Sequence, residues 1–216
     1  MITRRLTTSF ILSLFLLSSC ALIEPAPGVR IVKVKVLADP SFQQEDPRWA
    51  DTAAGLLEAA SDFFEREFGI RFLAQGVTPW QLAGRFPSTA LLLKRLKDDF
   101  PLRGENRSYD LIVAFTRERV NVYLGGVARV DRIGNCQDGL GNYVISLVSA
   151  PYRYPGPNSE LELDVVALIH ELGHIFGAEH TEETGSIMHM DFAYRTEFDK
   201  KSREIILKNR HCPFGK

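Results

Sequence analysis

Apolar residues along the chain recur with two different periods, and the switches between them mark the elements. Over residues 29–37, Val32, Val34 and Val36 alternate with Ile31, Lys33 and Lys35, the pattern of a strand with one buried face. Trp49, Ala53, Leu56, Leu57, Ala60, Phe63 and Phe64 then recur at steps of three and four and predict an amphipathic helix. Asp46-Pro47 supplies its expected start, with Asp as N-cap and Pro at the first helical position, and Gly69 its stop. Residues 70–74 read as a second strand. Ser88 is expected to cap a second helix carrying Leu91, Leu92 and Leu96, which Pro101 ends. Residues 109–116 form a continuous apolar strand, expected at the centre of a sheet. Residues 126–130 and 143–149 read as two more strands, with turns at Gly134, Gly139, Gly141 and Asn142 between them. A helix is expected from about Glu160, opened by a Ser159–Glu162 capping box, and a last one over about 199–209. The early alternation of strand and helix predicts an α/β (α+β) fold, a largely parallel sheet with helices packed on it. No internal repeat or domain-sized linker interrupts it.

Composition narrows the class. The chain has 216 residues, 45% of them hydrophobic and 25% charged, which excludes a disordered or low-complexity protein. A net charge of −1, with no basic stripe, argues against nucleic acid as a partner.

The first residues read as an address. Arg4 and Arg5 precede an apolar run over 10–17 that is too short to span a bilayer, which takes ~20 residues. Leu17-Ser18-Ser19-Cys20 follows and resembles the lipobox of bacterial lipoproteins. The expected organisation is therefore a signal peptide over 1–19, a lipidated Cys20 with a short Pro-containing tether to residue 28, and one domain over 29–216. Cleavage removes Arg4 and Arg5 and leaves 24 basic against 27 acidic residues. The expected location is the cell envelope, with the protein anchored to a membrane by its acyl chains. In a Gram-negative host that means the outer membrane or the periplasmic side. Cys136 and Cys212 remain, an even number in a disulfide-permissive compartment, and are expected to bond; two free thiols are the alternative.

The chemistry lies in His170-Glu171-Leu172-Gly173-His174-Ile175-Phe176-Gly177-Ala178-Glu179-His180. Residues four apart share a helix face, so His170 and His174 can reach one metal ion. Glu171 is rotated by about 100° from His170, which takes it out of the coordination sphere and towards a water on the metal. Gly177 lets the chain turn sharply with positive φ and bring back His180 as a third imidazole. Three His ligands leave a fourth position for water, the arrangement of a catalytic Zn2+ site. The bland alternative is a helix with satisfied core histidines, but this spacing arises by chance in on the order of one chain in 10^5. Leu161, Val165, Leu168, Leu172 and Ile175 line the opposite face and are expected to bury against the sheet. Leu163, Val166 and Ala167 share the histidine side, as cleft wall or core. Trp49 and Trp80 read as core, and His189 and His211 fall outside the ligand spacing.

H-E-x-x-H-x-x-G-x-x-H resembles the signature of the metzincin zinc endopeptidases. Gly185-Ser186-Ile187-Met188-His189 lies where that family has its Met-turn, which assigns Met188 to the floor beneath the metal. Within the family the chain resembles the reprolysin (adamalysin) branch over roughly 29–212. The shared features include residues 70–80, Tyr109-Asp110-Leu111-Ile112-Val113, Gly125-Gly126-Val127-Ala128, and cysteines at 136 and 212 that are bonded in that branch. It departs at Thr181, where reprolysins usually have Asp, and at Met190, where astacins and serralysins carry a Tyr ligand. The short distance from Cys20 to the first strand leaves no room for a long inhibitory prodomain, so an enzyme made active is expected.

The resemblance implies a twisted five-stranded sheet with an antiparallel edge strand and a small C-terminal subdomain ending in a helix. It implies hydrolysis of peptide bonds in proteins, with zinc on His170, His174 and His180 and Glu171 as general base. The peptide would lie along the edge strand at Gly126, Val127 and Ala128. Phe192, Ala193 and Tyr194 would form the outer wall of an apolar pocket just past the cut. The implied partners are a protein or peptide substrate and the membrane, with the chain a monomer. The alternative is a zinc-bearing module on the envelope that holds protein partners without cutting them.

Overall fold

The computed structural model describes residues 28–102, 108–118, 126–157, 159–193 and 195–215. The signal segment, Cys20 and the tether up to residue 27 lie outside them, as does Tyr194. The elements run β1 (Arg30–Ala38), α1 (Pro40–Glu45), α2 (Trp49–Phe68), β2 (Ile70–Pro79), α3 (Thr89–Asp99), β3 (Leu111–Thr116), β4 (Ala128–Val130), β5 (Tyr143–Leu147), α4 (Leu163–Ile175) and α5 (Lys200–Asn209). The strands form one sheet in the order β2-β1-β3-β5-β4. Every pairing is parallel except β4 with β5, so the sheet ends in a short antiparallel edge.

The alternating pattern of β1 sorts its side chains as expected, with Val32, Val34 and Val36 fully buried and Lys33 exposed. The apolar run of β3 is buried at all six positions because both sheet faces are covered. One face carries α2 and α4, where Phe63, Phe64, Phe68 and Phe72 pack with Phe176 and Met188. The other carries α3, where Leu92, Leu93 and Leu96 meet Ile112, Ile145 and Trp80. Trp80 is fully buried, whereas Trp49 only borders the core. Gly69 ends α2 at φ +64, as its place after Phe68 predicts.

Three local expectations need correction. Asp46 does not cap α2; it closes the unforeseen α1, whose own N-cap is Asp39, and its carboxylate accepts from Arg48 N and Thr52 Oγ1. The connector it stabilises delays α2 to Trp49. Ser159 and Glu162 form no capping box. Ser159 Oγ donates to the Gly156 carbonyl, and α4 begins at Leu163 without a side-chain cap bond from Glu162. Leu91 is 46% exposed, because Leu92, Leu93 and Leu96 make the stripe of α3 that faces the sheet.

Candidate metal centre

From 165 to 175 every residue of α4 is buried, the two histidines and Glu171 included. Its apolar stripe packs on α2 and on the strands β4 and β5, which fixes the height and rotation of the helix. Asp164 in the first turn complements the helix dipole and also accepts from Ser149 N and Oγ, pinning the helix start to the strand end beside it.

His170 and His174 project from this helix with fixed tautomers. Nδ1 of His170 lies 2.6 Å from the Ile187 carbonyl oxygen, and Nδ1 of His174 lies 2.6 Å from that of Ala178. A carbonyl can only accept, so both Nδ1 atoms carry protons and both Nε2 atoms present bare lone pairs. The Nε2 atoms of His170, His174 and His180 form a triangle with sides of 3.1, 3.2 and 3.2 Å. Burial, reinforced by the neighbouring His174, pushes His170 down to about 3 against the pull of the Ile187 carbonyl. Burial likewise pushes His174 down to about 4. Neither His170 nor His174 therefore carries a second proton at neutral pH, and the two bare Nε2 atoms beside that of His180 suit a cation. Zn–N bonds of about 2.0–2.1 Å in tetrahedral geometry place nitrogens ~3.3 Å apart, close to the spacing seen. This is the one cluster of three potential metal ligands among the described residues.

His180 returns to the cluster because the chain reverses directly after α4. Gly177 has φ +98, and a Cβ there would meet Gly134 O at 2.4 Å and Asn209 Nδ2 at 2.5 Å. Positive φ and close approach thus both require glycine. Asn209 of α5 donates to the Phe176 carbonyl at 2.9 Å and satisfies the helix end. Met188 is fully buried, and its carbonyl accepts from Thr181 N, one residue past His180. The turn holding Met188 is anchored by Ser186, whose hydroxyl donates to Asp199. Burial would raise the Asp199 carboxyl, but bonds from Ser202 and Ser186 outweigh it and hold it below its ordinary value. Cys136 and Cys212 are joined as a disulfide, which ties the loop before β5 to the chain beyond α5.

A cleft of about 1050 Å³ opens above the three histidines. Glu171 lines it, 6% exposed, with no hydrogen-bond partner for its carboxylate among the described residues. Burial pushes that carboxyl up to about 8, opposed by the charge of Arg129. Gly126, Val127 and Ala128 line the β4 side of the cleft; Phe192 and Ala193 line the opposite wall. The Phe192 ring lies 4.8 Å from that of His170. Leu163 and Ala167 also reach the cleft, whereas Val166 belongs to the core. His189 stays apart from the trio and pairs with Asp191 N, and His211 lies beside Arg210. Sequence reasoning missed Arg117, Arg129 and Ile133 on the cleft wall, since no local pattern distinguishes them from surface residues.

The model of metallo-peptidase family M12 matches residues 29–214 of this chain. The chain belongs to metallo-peptidase family M12. A family of metal-dependent peptidases accounts for the imidazole trio, two of its members buried and His180 exposed, and for an open cleft beside it. In fold, this M12 member is similar to archaemetzincin from Methanopyrus kandleri, with a TM-score of 0.56 and 18% identity. The similarity covers 86% of this chain and 98% of that one. No curated protein matches the sequence.

Proposed function

We propose that this M12 member is a zinc-dependent endopeptidase of the metzincin type, with reprolysin-like sequence features. One observation carries the reading. Three imidazole Nε2 atoms, two of them with lone pairs freed by Nδ1–H bonds to carbonyls, converge within 3.1–3.2 Å of one another on the floor of an open cleft that Glu171 also lines. His170, His174 and His180 would hold the zinc ion, which when bound would supply a Lewis acid to acidify water and polarise the scissile carbonyl.

The residues of the chain do the rest. Glu171 takes the proton of the attacking water on a carboxylate oxygen and delivers it to the departing amine. Its burial suits both steps, because a desolvated carboxylate holds a proton more readily than a hydrated one. The carbonyls of Ile187 and Ala178 hold the His170 and His174 rings in register. β4 ends the sheet, so its outer edge offers backbone groups to an extended substrate. Leu163, Ala167, Phe192 and Ala193 favour an apolar side chain just past the cut. Signal cleavage and lipidation at Cys20 place the enzyme on the cell envelope, and a site complete within one chain is consistent with a monomer.

The test is cleavage of a mixed peptide library by the zinc-loaded protein, run beside Glu171→Ala. Cleavage by the parent, lost in the variant while zinc stoichiometry stays at one, supports the reading. Equal cleavage by both, or none by the folded zinc-loaded parent, refutes it. Incorporation of labelled palmitate that disappears in Cys20→Ser checks the anchor.

A further inference from the structure

β4 turns its two faces to different layers. Arg129 pairs with Ile145, which packs among Leu92, Leu93 and Leu96 of α3. Its neighbours Ala128 and Val130 take the opposite face, and Val130 packs against the core that contains α4. Arg129 therefore lies exposed on the α3 side of the sheet edge. It lines the main cleft and also a groove of about 420 Å³ between α3 and β4, so its side chain stands between the two.

The charges in that groove do not cancel. Lys94 pairs with Asp98 at 2.8 Å. Asp131 is committed as well: one oxygen accepts from Asn142 N and Tyr143 N, and the other lies 3.5 Å from Arg132. Arg129 and Lys97 are exposed and, among the described residues, neither has a carboxylate within ion-pair distance. Lys97 gains from its place in the last turn of α3, whereas Arg129 acts on Glu171 only through space.

We propose that Arg129 and Lys97 form a shelf that selects acidic side chains on the outward face of a peptide laid along β4. The proposal rests on the peptidase reading only in taking that peptide to be the substrate. Side chains of an added strand alternate between faces. Those of one parity enter the cleft beside Glu171, whose rim includes the exposed apolar residues Val127, Ile133, Leu163 and Met190. Those of the other parity turn towards α3 and meet two exposed cations that have no ion-pair contact among the described residues. The preferred substrate is thus a segment in which apolar and acidic residues alternate around the cut. Basic residues at the outward positions are repelled.

Three peptides test this, identical except for Glu, Gln or Lys at both positions flanking the residue seated in the cleft. Cleavage is measured as kcat/KM, and binding of the same peptides by fluorescence anisotropy. The order Glu, Gln, Lys is expected, with steps of roughly fivefold at low salt that shrink at high salt. The double variant R129Q/K97Q brings the Glu-to-Gln ratio to about one, while Lys201→Gln, exposed on α5, keeps the parent ratio. Equal handling of Glu and Gln peptides by the parent, or a preference that survives in R129Q/K97Q, overturns the shelf. Binding that prefers Glu through Arg129 and Lys97 without any cleavage keeps the shelf and refutes the peptidase reading.

Discussion

A methyl group built on Gly173 would lie 2.7 Å from the sulfur of Met188 and 2.9 Å from the ring of Phe198. The helix that carries two of the three imidazoles therefore rests directly on the turn below it, with no space between. Gly173→Ala is expected to push the helix off that floor, at a cost of about 1–3 kcal/mol. Thermal unfolding of the metal-free protein measures the loss. A zinc titration of the same variant should show weaker binding, since His170 and His174 move with the helix.

Gly177 carries a stronger constraint, because positive φ and two close neighbours coincide there. Gly177→Ala is expected to destabilise the fold by about 2–4 kcal/mol and to displace His180. Metal content after dialysis against zinc should fall well below one ion per chain. An unchanged content would show that the third imidazole does not depend on this turn.

The site also sets a pH optimum for stability in the metal-free state. His170 and His174 are held down to about 3 and 4 in the fold and return to 6.5 on unfolding. Glu171 is held up to about 8 and returns to 4.5. Between pH 4.5 and 6.5 the unfolded chain binds two protons on the histidines that the fold refuses, and the fold binds one on Glu171 that the unfolded chain lacks. Stability therefore rises with pH in that window, by about 1.4 kcal/mol per unit. Between pH 6.5 and 8 only the Glu171 difference remains, so stability falls again at about the same slope. Urea denaturation of chelator-treated protein is expected to give a maximum near pH 6.5, and Glu171→Gln should remove the alkaline decline.

The Cys136–Cys212 bond closes a loop of 76 residues in sequence separation. Its removal in C136S/C212S is expected to cost about 4 kcal/mol, chiefly by freeing the unfolded chain. Loss of zinc binding in the still-folded double variant would show that the bond also shapes the site. Retention is the expected outcome, because the His170 and His174 imidazoles are held by the carbonyls of Ile187 and Ala178, neither of which belongs to the bridged cysteines or their immediate neighbours.

The imidazole trio was legible in the sequence because its geometry is local. His170 and His174 are one helical turn apart, and Gly177 with His180 completes a turn that follows immediately. The alternation of β1, the apolar run of β3 and the glycine stop after α2 were legible for the same reason: each depends on period or on one backbone angle. The start of α2 was not, because Asp46 can serve either as an N-cap or as the end of a preceding helix. Only the contacts of Arg48 and Thr52 decide between them. Leu91 and Leu93 look alike in sequence, and the docking of α3 on the sheet chooses which is covered.

What the sequence determined by itself was the set of imidazole donors, the order of the strands and main helices apart from α1, and the carboxylate that follows the first imidazole. The tertiary structure decided what surrounds them. It seats Met188 against Gly173 and directs the Ile187 carbonyl at His170. It also sets Arg129 at the edge of the sheet with no ion-pair partner among the described residues. These relationships join residues from distant parts of the chain, and no pattern within a single element carries them.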